Sequence, residues 1–273
     1  MTGARLDNLF WLLGLIMMGV IICFLLIPIA VTVVMAFDAR PYLGPLPPPS
    51  LSSRWFVKFF SDDYFLRGLR TSVELAVLSV TLSLGVGMAA AVALDRSSSR
   101  GREALVSLFL SPLIVPPVVT GFALLLFLSK LGVINGFARL LCGHMIITVP
   151  YTIRATLAGL SGIDKSLTEA ALILGATERS AFWDVTFPLA RTGIVCGGIF
   201  AFAISMDDVA VSIMLTDANT YTLPVALISS MRANFDLTIA AASVMLMLLT
   251  LALILVLEKV VGLNRIIGQG VFR

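Results

Sequence analysis

Two adjacent carboxylates, Asp207 and Asp208, interrupt an apolar stretch at residues 189–215, with Ser205 before them and Ser212 after. A carboxylate at the centre of a membrane helix costs about 2.5–3.5 kcal/mol by insertion measurements, so it is seldom kept without a use. If the stretch is one helix, neighbouring side chains point about 100° apart. Asp208 then shares the face of Ser205 and Ser212, and Asp207 points towards Ala203 and Val211. Two chemistries fit. The carboxylates, with Ser205 beside them, supply counter-charge to a cationic solute at a gate or transient site. Alternatively, each is a structural acid bonded to an arginine or to backbone in a partner subunit. His144, the only histidine, is equally two-sided: a hydrogen-bonded packing residue or a proton relay. Cys23, Cys142 and Cys196 fall in apolar stretches without a CxxC pair, which predicts buried thiols, with no disulfide framework or metal site. No nucleophile–base spacing and no Walker loop stands out. The residues therefore predict a chain without catalytic chemistry or cofactor of its own.

The elements that must hold these residues are membrane helices. Hydrophobic residues make up 59% of the chain and charged ones 13%, against about 25% charged in soluble domains. Residues 9–37, 104–129 and 237–257 carry no charge, and 73–94 carries only Glu74, which can snorkel to an interface. Two weaker runs are 136–160, with Arg139, His144 and Arg154, and 189–215, with Arg191 and the two aspartates. The fold expected is all-α and polytopic, with six transmembrane helices in a single domain over residues 1–273. The first run is too long for the h-region of a cleavable signal and is expected to stay as the first span. A membrane β-barrel is excluded by the continuous apolar runs.

Charge sets the orientation. With the N-terminus inside, the inner segments hold 11 of the 19 Lys and Arg and the outer ones 8, and the short loop with Arg96, Arg100 and Arg102 carries the bias most cleanly. Both termini are then cytoplasmic, as is the 161–188 loop. No basic cluster with interleaved aromatics points to nucleic acid. Residues 40–51 hold too many prolines for helix and read as an extended outer loop. Residues 54–70 read either as an interfacial amphipathic helix, with Trp55, Phe56, Phe59, Phe60 and Tyr64 in the aromatic belt, or as an ordinary covering loop. Pro112, Pro116 and Pro117 break the third span, either to line a pathway or as a packing kink. Gly193, Gly197, Ala201 and Ser205 recur every four residues, as do Ser83, Gly87 and Ala91, which predicts close helix packing.

Residues 161–188 are the polar-flanked exception between two apolar runs. Ser161 and Asp164 are both good N-caps. Leu167, Ala170, Ala171 and Leu174 follow at i, i+3, i+4 and i+7, one apolar stripe on a short helix. Gly175 stands where a left-handed residue would close that helix. Thr177 can cap a second short helix with Ala181, Phe182 and Val185 inward, and Pro188 suits the first turn of the next span. Lys165, Glu169, Glu178, Arg179 and Asp184 give a mixed-charge face, poorly matched to lipid and suited to a groove on a protein partner.

This loop, with Glu169-Ala170-Ala171, then Gly175, then Val185, Phe187 and Pro188, resembles the EAA loop of the permease subunits of binding-protein-dependent ABC importers. Val185 and Phe187 stand where that family prefers Ile and Leu, and both remain apolar. His144 followed by Pro150-Tyr151, and Leu223-Pro224 further on, also resemble motifs of the group. Ser205-Met206-Asp207-Asp208-Val209 closely resembles the Ser-Met/Leu-Asp-Asp motif of the second permease subunit of spermidine/putrescine importers. The resemblance implies a type I importer permease of MetI-like fold in the bacterial inner membrane, with a five-helix core over about 70–260. It implies that Glu169, Ala170, Ala171, Gly175 and Pro188 form the coupling element over about 161–188, gripped by an ABC ATPase dimer. A second, different permease chain and an extracytoplasmic substrate-binding protein complete the assembly it implies. Polyamines lead as solute, ahead of opines, 4-aminobutyrate, phosphonates or ferric iron. A channel or secondary transporter without an ATPase, and an intramembrane enzyme, are the rival classes.

Overall fold

The computed structural model describes residues 3–97, 100–233 and 235–261; Arg265, Arg273 and the side chains of Arg5 and Lys165, counted above, lie outside the described residues. The architecture is all-α. In order the helices are α1 (Gly3–Ala36), α2 (Arg54–Ser61), α3 (Asp63–Arg96), α4 (Arg102–Leu110), α5 (Pro117–Lys130), α6 (Gly136–Ser161), α7 (Lys165–Ile173), α8 (Glu178–Ala181), α9 (Phe187–Asp207), α10 (Ser212–Leu215), α11 (Leu223–Ala233) and α12 (Thr238–Val261). Among the described residues the only β pairing is an isolated bridge between Asp38 and Leu51.

Four described helical stretches are long and apolar enough to cross a membrane: Phe10–Ala36, Asp63–Arg96, Gly136–Ser161 and Glu178–Asp207. The third expected span is bent by 97° between Arg102–Leu113 and Pro117–Lys130, and makes a fifth if the pair is one crossing. The run expected as a sixth is helical in α12. The bend has a local cause. Pro116 biases Val115 away from helix, and Pro117 opens α5 where its missing N–H costs nothing.

The described residues divide into two compact units, those of 1–62 with 230–248 and those of 63–229 with 249–273. In the first, Met35, Ala36, Trp55, Leu237, Ala241 and Val244 form a core. The Trp55 indole donates to the Asp38 carbonyl at 2.6 Å, and Lys58 pairs with Asp236 at 2.5 Å. The 54–70 segment is two helices broken at Asp62, and Trp55 and Phe59 are buried. Trp55 thus serves the packed core of this unit, whereas Phe60 is exposed, as a belt residue would be.

In the second unit α3, α6 and α9 pack on one another. Ala91, Leu160, Ala190 and Ile194 make one core cluster, and Leu75, Leu140, Val211 and Leu215 another. The small-residue stripe works as packing: a Cβ on Gly193 would lie 2.5 Å from the Ala155 carbonyl oxygen, so only glycine lets α9 approach α6 there.

Two local readings need correction. The span expected over 189–215 is not one helix, because α9 stops at Asp207 and Asp208 is extended, with ψ of 126°. The short helix expected before Pro188 is present as α8 with Thr177 as its cap, but it does not end before the next span: residues Glu178–Asp207 form one helical run, with a π turn at Phe182–Thr186. Pro188 has no N–H to give to the carbonyl four residues back and its ring crowds that carbonyl; a π turn absorbs both defects without ending the helix.

Candidate functional site

The break after α9 is held by the carboxylate of Asp208. It accepts hydrogen bonds from the Ser212 amide and hydroxyl, both at 2.8 Å, and from the Val211 amide at 3.3 Å. These are the free donors of a helix start, so Asp208 acts as the cap of the short turn that follows. The Asp208 side chain is 8% exposed. The face-sharing argument that put Asp208 beside Ser205 and Ser212 on a continuous helix is therefore replaced by direct capping, and Asp207 does not point towards Val211 on a shared helix.

A buried hydrogen-bond chain continues from the cap. His144 on α6 is fully buried; its Nε2 lies 3.0 Å from Ser212 Oγ and its Nδ1 lies 2.8 Å from Ser205 Oγ. The proton order follows. Ser212 gives its only proton to Asp208, so it must accept from Nε2–H of His144. Nδ1 then accepts from the Ser205 hydroxyl, and Ser205 can accept from Ser79 on α3 at 3.3 Å. A neutral imidazole with its proton on Nε2 satisfies every partner. Below this chain Thr148 donates to the His144 carbonyl at 2.6 Å and meets Ser83 at 2.7 Å, while Thr152 donates to the Ser83 carbonyl at 2.8 Å. Thr148, Thr152, Ser79 and Ser83 were not singled out as a network from the sequence. The readable signal was their i, i+4 recurrence on two helices.

Asp207 has a different fate. It is exposed and lines a cavity of ≈ 350 Å³, together with Asp208, Ile204, Tyr151, Ile147 and the Pro112 region of the bent span. The break thus brings the proline kink and the carboxylates to one place. Ser205 lies 3% exposed among the helices and its hydroxyl faces His144, away from that cavity's lining.

The second candidate element is the 161–188 loop. Asp164 caps α7 by accepting from the Ser166 amide at 2.9 Å, and that bond holds its carboxyl below the ordinary carboxylate range. Ser161 is instead the last residue of α6. Gly175 has φ +92°, its amide donates to the Leu172 carbonyl, and the Ala176 amide donates to the Ala171 carbonyl, both at 3.0 Å. This is the paired closure of a helix end that requires a left-handed residue. Thr177 caps the next turn through the Ser180 amide at 3.2 Å. Glu169 and Ala170 are exposed, Ala171 is half-buried and Pro188 is exposed. Glu169 borders a groove with Asp95, Arg96 and Thr168. Ile173 and Leu174 are 86% and 87% exposed at the tip. The periodic stripe included Leu174 but missed Ile173, because the tip projects past the helix end and frees both side chains.

Residues 82–263 match a family described as "Binding-protein-dependent transport system inner membrane component". The spermidine/putrescine transport system permease protein PotC of Haemophilus influenzae is 29% identical over 247 residues, covering 90% of this chain and 95% of that protein. The putrescine transport system permease protein PotI of Escherichia coli is 26% identical over 244 residues, covering 87% and 85%. Among solved structures, a bacterial ABC transporter involved in import of the acidic polysaccharide alginate aligns with TM-score 0.73 at 19% identity, over 92% of this chain and 95% of that one.

Proposed function

This chain belongs to the family of inner membrane components of binding-protein-dependent transport systems, the permease subunits of ABC importers, and on that premise we propose that it moves a polyamine of the putrescine or spermidine class into the cell. The observation that carries the substrate reading is Asp207. Its carboxylate borders an open cavity at a helix break, with no capping duty, where an ammonium group can replace the counter-charge that a membrane aspartate needs. The names of the PotC and PotI relatives support the same class. Asp208 keeps the break open for Asp207 and so acts on transport by position.

One chain supplies half a pathway, and a second, different permease supplies the rest. An ABC ATPase dimer docks on the loop with Glu169, Ala170, Ala171, Gly175 and Pro188, and the exposed Ile173–Leu174 tip fills an apolar groove on it. ATP binding closes the ATPases, draws the two coupling loops together and rocks the helices from inward-open to outward-open. A binding protein delivers solute on the opposite face. ATP hydrolysis belongs to the partner. The arginines of the 96–102 loop support cytoplasmic placement of both termini and of the coupling loop.

The test is uptake by the complete complex in sealed vesicles, with radiolabelled putrescine and spermidine. The expected result is ATP-dependent accumulation of at least one. Uptake of neither, with uptake of a neutral or anionic solute, removes the polyamine assignment and leaves the importer reading standing. Uptake that proceeds without any associated ATPase returns the chain to the channel or secondary-transporter class.

A further inference from the structure

We infer that His144 is the positioning residue of the solute site: one imidazole clamps both sides of the α9–α10 break and so aims the carboxylate of Asp207. This role rests on the reading of Asp207 as the solute's counter-charge and deepens it. Ser205 stands in the last turn of α9, which ends at Asp207, and Ser212 is the first residue of α10. His144 reaches both from α6, with Nδ1 at 2.8 Å from Ser205 Oγ and Nε2 at 3.0 Å from Ser212 Oγ. Asp207 and Asp208 lie in the stretch between these two fixed points. The clamp has a third foothold, because Ser205 Oγ also lies 3.3 Å from Ser79 Oγ on α3.

The break cannot hold its own shape. α10 is a single turn of four residues, too short to be stable without tertiary contacts. Val211 and Leu215 bury it against Leu75 and Leu140. Glycines let its neighbours close in: a Cβ on Gly121 of α5 would lie 3.0 Å from Val211 Cα, and one on Gly143 of α6 would lie 2.5 Å from Leu215 Cδ1. Apolar packing is non-directional, so it holds the turn in place without fixing its rotation relative to the end of α9. Hydrogen bonds are directional and fix that rotation. The demand on the side chain is specific. Ser212 has given its proton to Asp208 and needs a donor, whereas Ser205 gives its proton and needs an acceptor. A neutral imidazole meets both from opposite sides of one rigid ring. His144 is fully buried and is not among the residues that line the Asp207 cavity, so it acts on solute through the break.

The test uses the complete complex in sealed vesicles and reads uptake of radiolabelled spermidine per assembled complex. His144→Leu keeps bulk and loses both bonds, and should lower uptake about tenfold, the scale of a buried polar group left unpaired. His144→Gln should restore at least about a third of wild-type uptake, because its amide offers both a donor and an acceptor. In an Asp207→Asn background, His144→Leu should cost less than about twofold, since the clamp acts through Asp207. An equal loss in both backgrounds, or no rescue by His144→Gln, assigns His144 to general packing and overturns the inference. A second measurement needs no solute. Ala210 borders the same cavity. With Cys23, Cys142 and Cys196 changed to serine, Ala210→Cys is labelled by a water-soluble maleimide. Adding His144→Leu should change the labelling rate about fivefold or more, again the scale of a lost buried bond, and adding His144→Gln should not. Equal rates in all three overturn the inference whatever the solute. Absence of spermidine uptake in wild type overturns the polyamine reading, and the labelling rates then decide the clamp on their own. If His144→Leu does not assemble, Ser205→Ala opens one side of the clamp, and an unchanged labelling rate in that variant overturns the inference.

Discussion

At the scale of single residues, Asp207 and Asp208 separate although they are adjacent in sequence. Asp208 satisfies three donors at the start of a turn, and Asp207 satisfies none among the described residues. Their asparagine variants should therefore fail differently. Asp207→Asn should leave the complex assembled and its basal ATPase unchanged, while polyamine uptake falls about tenfold or more, as expected when one charge-assisted bond of roughly 1.5–3 kcal/mol is lost. Asp208→Asn retains one acceptor oxygen but loses the charge that draws the Ser212 donors, and asparagine's own N–H groups have no acceptor there. Its expected signature is a lower yield of assembled complex and a lower melting temperature. Uptake per assembled complex, measured with gel-filtration yield, distinguishes the two. Loss of uptake in Asp208→Asn with full yield and unchanged melting would reverse the assignment of roles.

At the scale of elements, the proposed coupling loop depends on one backbone conformation. Gly175 closes α7 at φ +92°, a region that a β-branched residue adopts only under strain. Gly175→Val should distort the turn and move the Ile173–Leu174 tip. The expected outcome is reduced co-purification of the ATPase and loss of solute-stimulated ATP hydrolysis, with membrane insertion intact. Gly175→Asn should retain most of both, because asparagine tolerates the left-handed region far better. Equal behaviour of the two variants would show that the turn's conformation does not matter for docking. Asp164 adds a pH term to the same element. Its folded carboxyl titrates below its ordinary value, so its cap is present above the ordinary carboxylate pKa and is lost as pH falls through the lowered one.

At the scale of the whole molecule, the proposed function runs through partners. Glu169 is exposed on the loop, beside Asp95 and Arg96. Glu169→Lys places a positive charge where the proposed ATPase contact desolvates it, a mispairing that can cost several kcal/mol. Uptake should fall at least tenfold while the permease still inserts and pairs with its second subunit. Unchanged uptake in this variant would mean that the face is merely solvated. Fold alone does not choose the solute. The fold is shared at TM-score 0.73 with a transporter involved in import of an acidic polysaccharide, so it leaves the solute open and side chains such as Asp207 must decide.

Much of this protein is written in local patterns that need no tertiary context. Uncharged runs of sufficient length define membrane helices, because lipid leaves the backbone no other way to satisfy its hydrogen bonds. Asp164, Gly175 and Thr177 define the helix–turn–helix of the 161–188 loop because caps and left-handed turns are set by a few adjacent residues. Even the packing of α9 on α6 was legible from its glycines, since close approach requires the absence of a Cβ. What the sequence left undecided depended on residues far apart in it. A helical wheel assumes an unbroken helix, and it failed at Asp208, where His144, Ser79 and Ser205 gather round the break from three helices. The π turn before Pro188 was hidden because proline marks a helix start as readily as a bulge. Only the packed structure decided which carboxylate is a cap and which faces open space. Desolvation and access are set by neighbours far along the chain, such as His144 and Ser79, which meet Ser205 across 61 and 126 residues, and local spacing does not encode them.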